Sequence, residues 1–100
     1  MESIYIVSTR YYAQRGMFKV GRTTQNMKVL REFKVDDSAF MEEHLRNTLK
    51  RLILTNGFYQ CPYNLLEATI ASIIERDRKI TEAVNKVVSA VRSMNENTST

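Results

Sequence analysis

Tyr5 and Lys19 are the first residues whose types suggest chemistry. Each interrupts a short apolar run, Tyr5 in Ile4–Val7 (IYIV) and Lys19 in Met17–Val20 (MFKV). Runs of β-branched and aromatic residues at this length predict strands. Side chains alternate across a strand. With Ile4, Ile6, Phe18 and Val20 turned to a core, Tyr5 and Lys19 emerge together on the other face. A phenol can activate or position water when a nearby cation lowers its pKa. Lys19 could be that cation, or could hold a phosphate. The plain alternative is a cross-strand aromatic that only packs, beside a lysine that protects a strand edge.

A carboxylate is the next candidate. A helix is predicted from about Ala39 to Leu54, with Ser38 as its N-cap and Asn56-Gly57 as its stop. Met41, Leu45, Leu49 and Leu52 form its buried stripe. At 100° per residue, Glu42 lies about 60° from Leu45 and Glu43 about 160° away. Glu42 thus borders the apolar face and Glu43 is solvated. Glu42 either supports a site or pairs with Arg46 one helical turn on. The lone histidine, His44, falls well off the stripe and reads as a solvated helix residue.

The elements that must position these groups follow in order. Lys28–Val35 (KVLREFKV) fits a third strand, with Val29, Phe33, Val35 and Arg31 on one face, or else a helical turn. Its β-branched ends and the Asp36-Asp37 stop favour the strand. Phe58–Cys61 reads as a short edge strand closed by Pro62. A long helix follows from about Asn64 to Met94. Its apolar residues step by four and three: Leu66, Ile70, Ile73, Ile80, Val84, Val87, Val91, Met94. Asp77 breaks the heptad once. The second half of this helix is more than a small body can cover, which predicts a homodimer through a coiled coil, or a helix folded back on its own sheet. The fold class is therefore α+β: a small antiparallel sheet of three strands plus a short edge strand, with flanking helices and a long C-terminal helix. The expected organisation is a domain over 1–62, the helix over 63–94 and a frayed tail over 95–100.

Charge is concentrated. Residues 1–34 hold seven basic side chains (Arg10, Arg15, Lys19, Arg22, Lys28, Arg31, Lys34) and two acidic ones, Glu2 and Glu32. The chain as a whole is +4. A basic face attracts polyanions, nucleic acid above all, or is simply a solvated surface. Tyr11 and Tyr12 lie between Arg10 and Arg15, where they could stack on bases or plug the loop. The single cysteine, Cys61, excludes an intramolecular disulfide and offers no zinc spacing. A reduced intracellular setting is the simplest reading. No signal-peptide pattern and no apolar run near the roughly 20 residues of a membrane span are present, so no membrane partner is expected.

Ile4-Tyr5-Ile6, followed by Phe18-Lys19-Val20-Gly21-Arg22-Thr23, resembles the GIY-YIG nuclease superfamily. It looks most like the branch from phages and large DNA viruses, whose second motif reads Tyr-Lys-Ile-Gly-Lys-Thr. The likeness covers about residues 1–61. It implies metal-dependent endonuclease hydrolysis of DNA phosphodiesters, with Mg²⁺ or Mn²⁺ and duplex DNA as partner. Carried over by position, Tyr5 would attend the attacking water, Lys19 would stand beside it, and Glu42, in Glu-x-x-Leu with Leu45, would bind the metal. The family's helix arginine has no clear equivalent. Arg31 takes the role if its segment is helical, and Arg22 otherwise. Ser3 stands where the family has glycine. Arg46 stands where the virus branch tends to have histidine. Gly57-Phe58-Tyr59 replaces an acidic-aromatic pair. The resemblance therefore also admits a non-catalytic nucleic-acid-binding or protein-interaction module on the same scaffold. Arg10, Tyr11, Tyr12, Arg15 and Lys28 would be the nucleic-acid contacts in either case.

Overall fold

Strand β1 (Glu2–Ser8) lies inside the sheet, with a neighbouring strand on each side. The computed structural model describes residues 1–98, and their side chains through Asn95. After β1 come α1 (Arg10–Ala13), β2 (Met17–Gly21), β3 (Lys28–Val35), α2 (Ser38–Thr48), a 3-10 turn (Lys50–Leu52), β4 (Tyr59–Gln60) and α3 (Tyr63–Thr98). The four strands form one antiparallel sheet in the order β3-β1-β2-β4. The chain is thus α+β, with short helices and one long C-terminal helix. No helix among the described residues is long and apolar enough to cross a membrane.

One sheet face builds the core. Ile4 and Ile6 from β1, Phe18 from β2 and Phe33 from β3 pack against Met41 and Leu45 of α2 and Leu66 and Ile70 of α3. Ile4, Ile6, Leu45 and Ile70 are fully buried. Burial of such side chains stabilises by roughly 1.5–3 kcal/mol each. Residues directly opposite in a pair share a face. The pairings Tyr5↔Gly21 and Val7↔Lys19 therefore put Tyr5 and Lys19 on the face opposite the core residues.

Several boundaries differ from the sequence reading. The connection between the first two strands contains α1, capped by Thr9 Oγ1 accepting from the Tyr12 N–H at 3.1 Å. Gly16 takes a positive φ of 67° to turn the chain into β2, and its carbonyl accepts from the Cys61 N–H at 3.0 Å. Lys28–Val35 is a strand with a bulge: Ile6 faces Arg31 but Val7 faces Val29, leaving Leu30 as the extra residue. The bulge moves Val29 off the Phe33 face and leaves it exposed. Asp37, not Ser38, caps α2, accepting from the Phe40 N–H at 3.0 Å. Helix α2 ends at Thr48, six residues short of Leu54. The segment after it leaves the helix so that Ile53 can bridge Tyr59 and the Leu54 N–H can reach the Phe58 carbonyl. Helix α3 continues to Thr98, through part of the expected tail, whose last two positions lie outside the described residues.

A carboxylate ties the ends of this layout together. Glu2 Oε1 accepts from the Ser38 N–H at 2.8 Å and the Ser38 hydroxyl at 2.6 Å, fixing the start of α2 to the start of β1. These bonds hold the Glu2 carboxyl below the usual carboxylate range. A depressed folded pKa contributes stability that is full above the unfolded value and fades as pH falls through the folded one. Glu2→Ala should therefore lower the melting temperature at neutral pH, and its deficit against wild type should shrink as the pH drops through that window. Thermal melts of both proteins across acid pH check this.

Candidate functional site

Gly21 ends β2, and the chemistry of the site gathers around it. An added Cβ at Gly21 would meet Glu42 Oε2 at 2.8 Å. The carboxylate thus occupies the space that any side chain here would fill. Tyr5 stands directly across the strand pair from Gly21, and its side chain shares that face. Glu42 Oε2 also accepts from the Arg22 N–H at 2.9 Å. Helix α2 supplies this carboxylate because Met41 and Leu45 are locked in the core, which leaves Glu42 on the helix border.

Two guanidiniums flank the same carboxylate. Arg22 Nε lies 3.8 Å and Arg46 Nη2 3.5 Å from Glu42 Oε1. Both arginine side chains are more than half exposed, so each ion pair is weak and its guanidinium can turn outward. Tyr59, buried in the core, lies close enough to feel both charges. Burial pushes its phenol above the usual range, Arg46 opposes that rise and Glu42 adds to it. The local balance is two cations against one anion, which favours an anionic ligand such as phosphate.

Lys19 continues this face towards α1. Its Nζ sits 5.1 Å over the Phe58 ring. Phe58 packs on Tyr12 at 4.4 Å, and Tyr12 meets Tyr11 edge-on at 5.2 Å. Arg15 lies 3.6 Å over the exposed Tyr11 ring and donates to the Tyr11 carbonyl at 2.8 Å. Tyr11 and Tyr12 therefore belong to a ladder of rings with a cation at each end. Arg10 is exposed at the start of α1, and Lys28 is exposed opposite Ser8, two residues before Arg10.

Arg31 is not part of this gathering. Its partner across the pair is Ile6, so it lies on the core-side face, with its guanidinium 4.9 Å over Phe33. The strand conformation of its segment decides this, and of the two arginines that the resemblance offered, Arg22 is the one beside Glu42. The sequence reading also missed a trio beside Tyr5. Glu32 stands directly across from Tyr5 on the β3 side. It accepts from the Ser3 hydroxyl at 2.5 Å and pairs with Lys34 Nζ at 2.8 Å. These bonds hold the Glu32 carboxyl below its usual range. Only the strand register reveals the trio, although Ser3 in place of glycine was a visible signal.

The donor set limits what metal can bind. Among the described residues no group of three or more His, Cys, Asp or Glu side chains converges. Glu42 offers one hard carboxylate that is about a quarter exposed. Mg²⁺ accepts such a site, since it keeps several waters and takes one or two carboxylates with substrate phosphates. The residues present fit that mode and no all-protein cage. Comparison with family models, curated proteins and solved structures finds no match to this chain.

The Gly21 notch yields a prediction. Gly21→Ala should displace the Glu42 carboxylate, a flexible side-chain end, and leave the fold intact. Stability should change by less than about 1 kcal/mol. The Arg22 amide, having lost its acceptor, should shift and exchange faster in NMR spectra, while amides of β1 away from Tyr5 stay put.

Proposed function

We propose that this chain is a small endonuclease of the GIY-YIG type that hydrolyses DNA phosphodiesters with Mg²⁺ or Mn²⁺. The observation that carries the reading is the Glu42 carboxylate seated in the Gly21 notch, across the strand from Tyr5. The helix glutamate fills the space at the glycine, and the tyrosine is paired across the strands from that glycine; these are positions that the resemblance assigns. Lys19 lies on the same sheet face as Tyr5.

Each side chain then has a task. Tyr5 orients the attacking water through its hydroxyl. Arg22 and Arg46 turn from Glu42 to the phosphate oxygens, where guanidinium geometry suits paired acceptance. Lys19 adds a point charge on the same face. Glu42 would hold the metal, and a bound divalent ion would stabilise charge on the phosphoryl oxygens. Arg10, Tyr11, Tyr12, Arg15 and Lys28 extend the contact along the DNA, by charge at the backbone and by the exposed Tyr11 ring. A paired second chain would bring another copy of the site to a duplex.

A second reading has its own observation. Arg22 and Arg46 already balance Glu42, so the site can serve as a phosphate clamp without a metal. The chain would then bind nucleic acid without cutting it.

Plasmid nicking at low salt separates the two. Wild type should nick with Mn²⁺ and stop in EDTA. Tyr5→Phe should slow nicking by roughly 100-fold or more, and Glu42→Ala should abolish it, both with unchanged melting curves. DNA retardation that fades with salt, without nicking, supports the clamp. Neither nicking nor retardation overturns both.

A further inference from the structure

Strands β2 and β3 are each antiparallel to β1, so they run parallel to one another with β1 between them. Strand β2 ends level with Tyr5, and β3 begins level with Ser8. Residues 22–27 therefore cross β1 and double back along it. A crossover between parallel strands usually takes a dozen or more residues, and here six do it. Met27, the one apolar residue among them, is not part of the core packed on the Ile4 and Ile6 face. The connection crosses on the Tyr5 face, where Val7 is buried without belonging to that core.

So short a path needs a sharp reversal. The Met27 N–H donates to the Thr24 carbonyl at 2.9 Å, and the two residues between them take positive φ, 51° at Gln25 and 60° at Asn26. A turn with positive φ at both central positions favours glycine, asparagine and aspartate. Glutamine is not among these, and glycine would relieve both positions. Local side-chain hydrogen bonds are what make such a conformation tolerable for a polar residue. Among the described residues neither amide side chain has a hydrogen-bond partner, and both residues are exposed. Uncompensated strain beside a site points to use of the side chains that carry it.

We propose that Gln25 and Asn26 enter the major groove of bound DNA and read base edges there. The inference rests on the nucleic-acid reading above, whether or not the chain cleaves. The tip is flanked by exposed Arg22 and Lys28, and no acidic residue stands between Glu2 and Glu32 in the sequence. Basic flanks hold phosphates and fix register, while groups between them specify. Glutamine and asparagine amides match the N6 and N7 of adenine, donor to acceptor and acceptor to donor. Reach also fits. Gln25 is four residues from Gly21, so it stands no more than about 14 Å from the notch. The major groove is about 12 Å wide and about 8.5 Å deep. A phosphate at Arg22 therefore leaves the turn beside the adjoining base edges.

Binding selection from a randomised duplex pool in EDTA tests this. Wild type should enrich adenine at one or two adjacent base pairs, and should bind the enriched duplex at least about ten-fold tighter than a scrambled one. Gln25→Gly with Asn26→Gly relaxes the backbone and removes both amides. This double variant should melt no lower than wild type and should bind the two duplexes within about two-fold of each other. Lys28→Ala should weaken both duplexes alike and keep the preference. In ¹⁵N-labelled wild type, the enriched duplex should shift the side-chain amide signals of Gln25 and Asn26. Unmoved amide signals overturn the proposal. So does DNA bound without an adenine preference, a preference that survives in the double variant, or a lower melting point for that variant, which would mean that the amides hold the turn. Each of these leaves the nucleic-acid reading standing. Duplex that wild type does not retain even at low salt overturns that reading and this inference together.

Discussion

The candidate site takes its place from β1, which pairs with β3 from Glu2 to Ser8 and with β2 from Tyr5 to Val7. Its even-numbered residues Ile4 and Ile6 are driven into the core, and that fixes the face on which Tyr5 appears. The two pairings then fix the neighbours of Tyr5. Gly21 arrives from β2 and Glu32 from β3. A one-residue slip of either pairing would turn every side chain of that strand to the wrong face. The burial of Ile4, Ile6, Phe18 and Phe33 is what forbids the slip. The chemistry on one face is thus held in register by the hydrophobic load on the other.

The second constraint is the close approach at Gly21. No positive φ requires glycine at this position. The requirement is space, since Glu42 Oε2 fills the volume of the absent Cβ. Core residues on either side of Glu42, Met41 and Leu45, leave the carboxylate one short reach to the end of β2. There the Arg22 N–H receives it. Backbone, helix position and missing side chain act together, so the carboxylate is placed by the fold and only trimmed by Arg22 and Arg46. Their guanidiniums remain half exposed and free to exchange one anion for another.

Much of this was legible because it depends on period. Alternation in IYIV and MFKV put Tyr5 and Lys19 on one face, and helical spacing separated Glu42 from Glu43. The stripe from Leu66 to Met94 announced a long helix. What sequence did not show depends on contacts between distant segments. The bulge at Leu30 shifts Val29 to the other face, and the Tyr63 hydroxyl donates to the Leu30 carbonyl at 3.4 Å. Helix α2 stops at Thr48 because Ile53 is claimed by Tyr59, although Lys50, Arg51 and Leu52 are good helix formers. Glu32 meets Tyr5 only through register. Arg31 reads as a candidate in sequence and lies on the far face because its segment is a strand.

The central claim is that Glu42, held in the Gly21 notch, makes one end of a site that Tyr5 completes. Paramagnetic broadening of ¹⁵N-labelled protein by sub-stoichiometric Mn²⁺ tests it most directly. The account predicts that the amides of Gly21, Arg22 and Tyr5 broaden first, and that Glu42→Gln removes this pattern without disturbing the rest of the spectrum. Broadening centred instead on Asp36, Asp37 and Asp77, unchanged by Glu42→Gln, would contradict it.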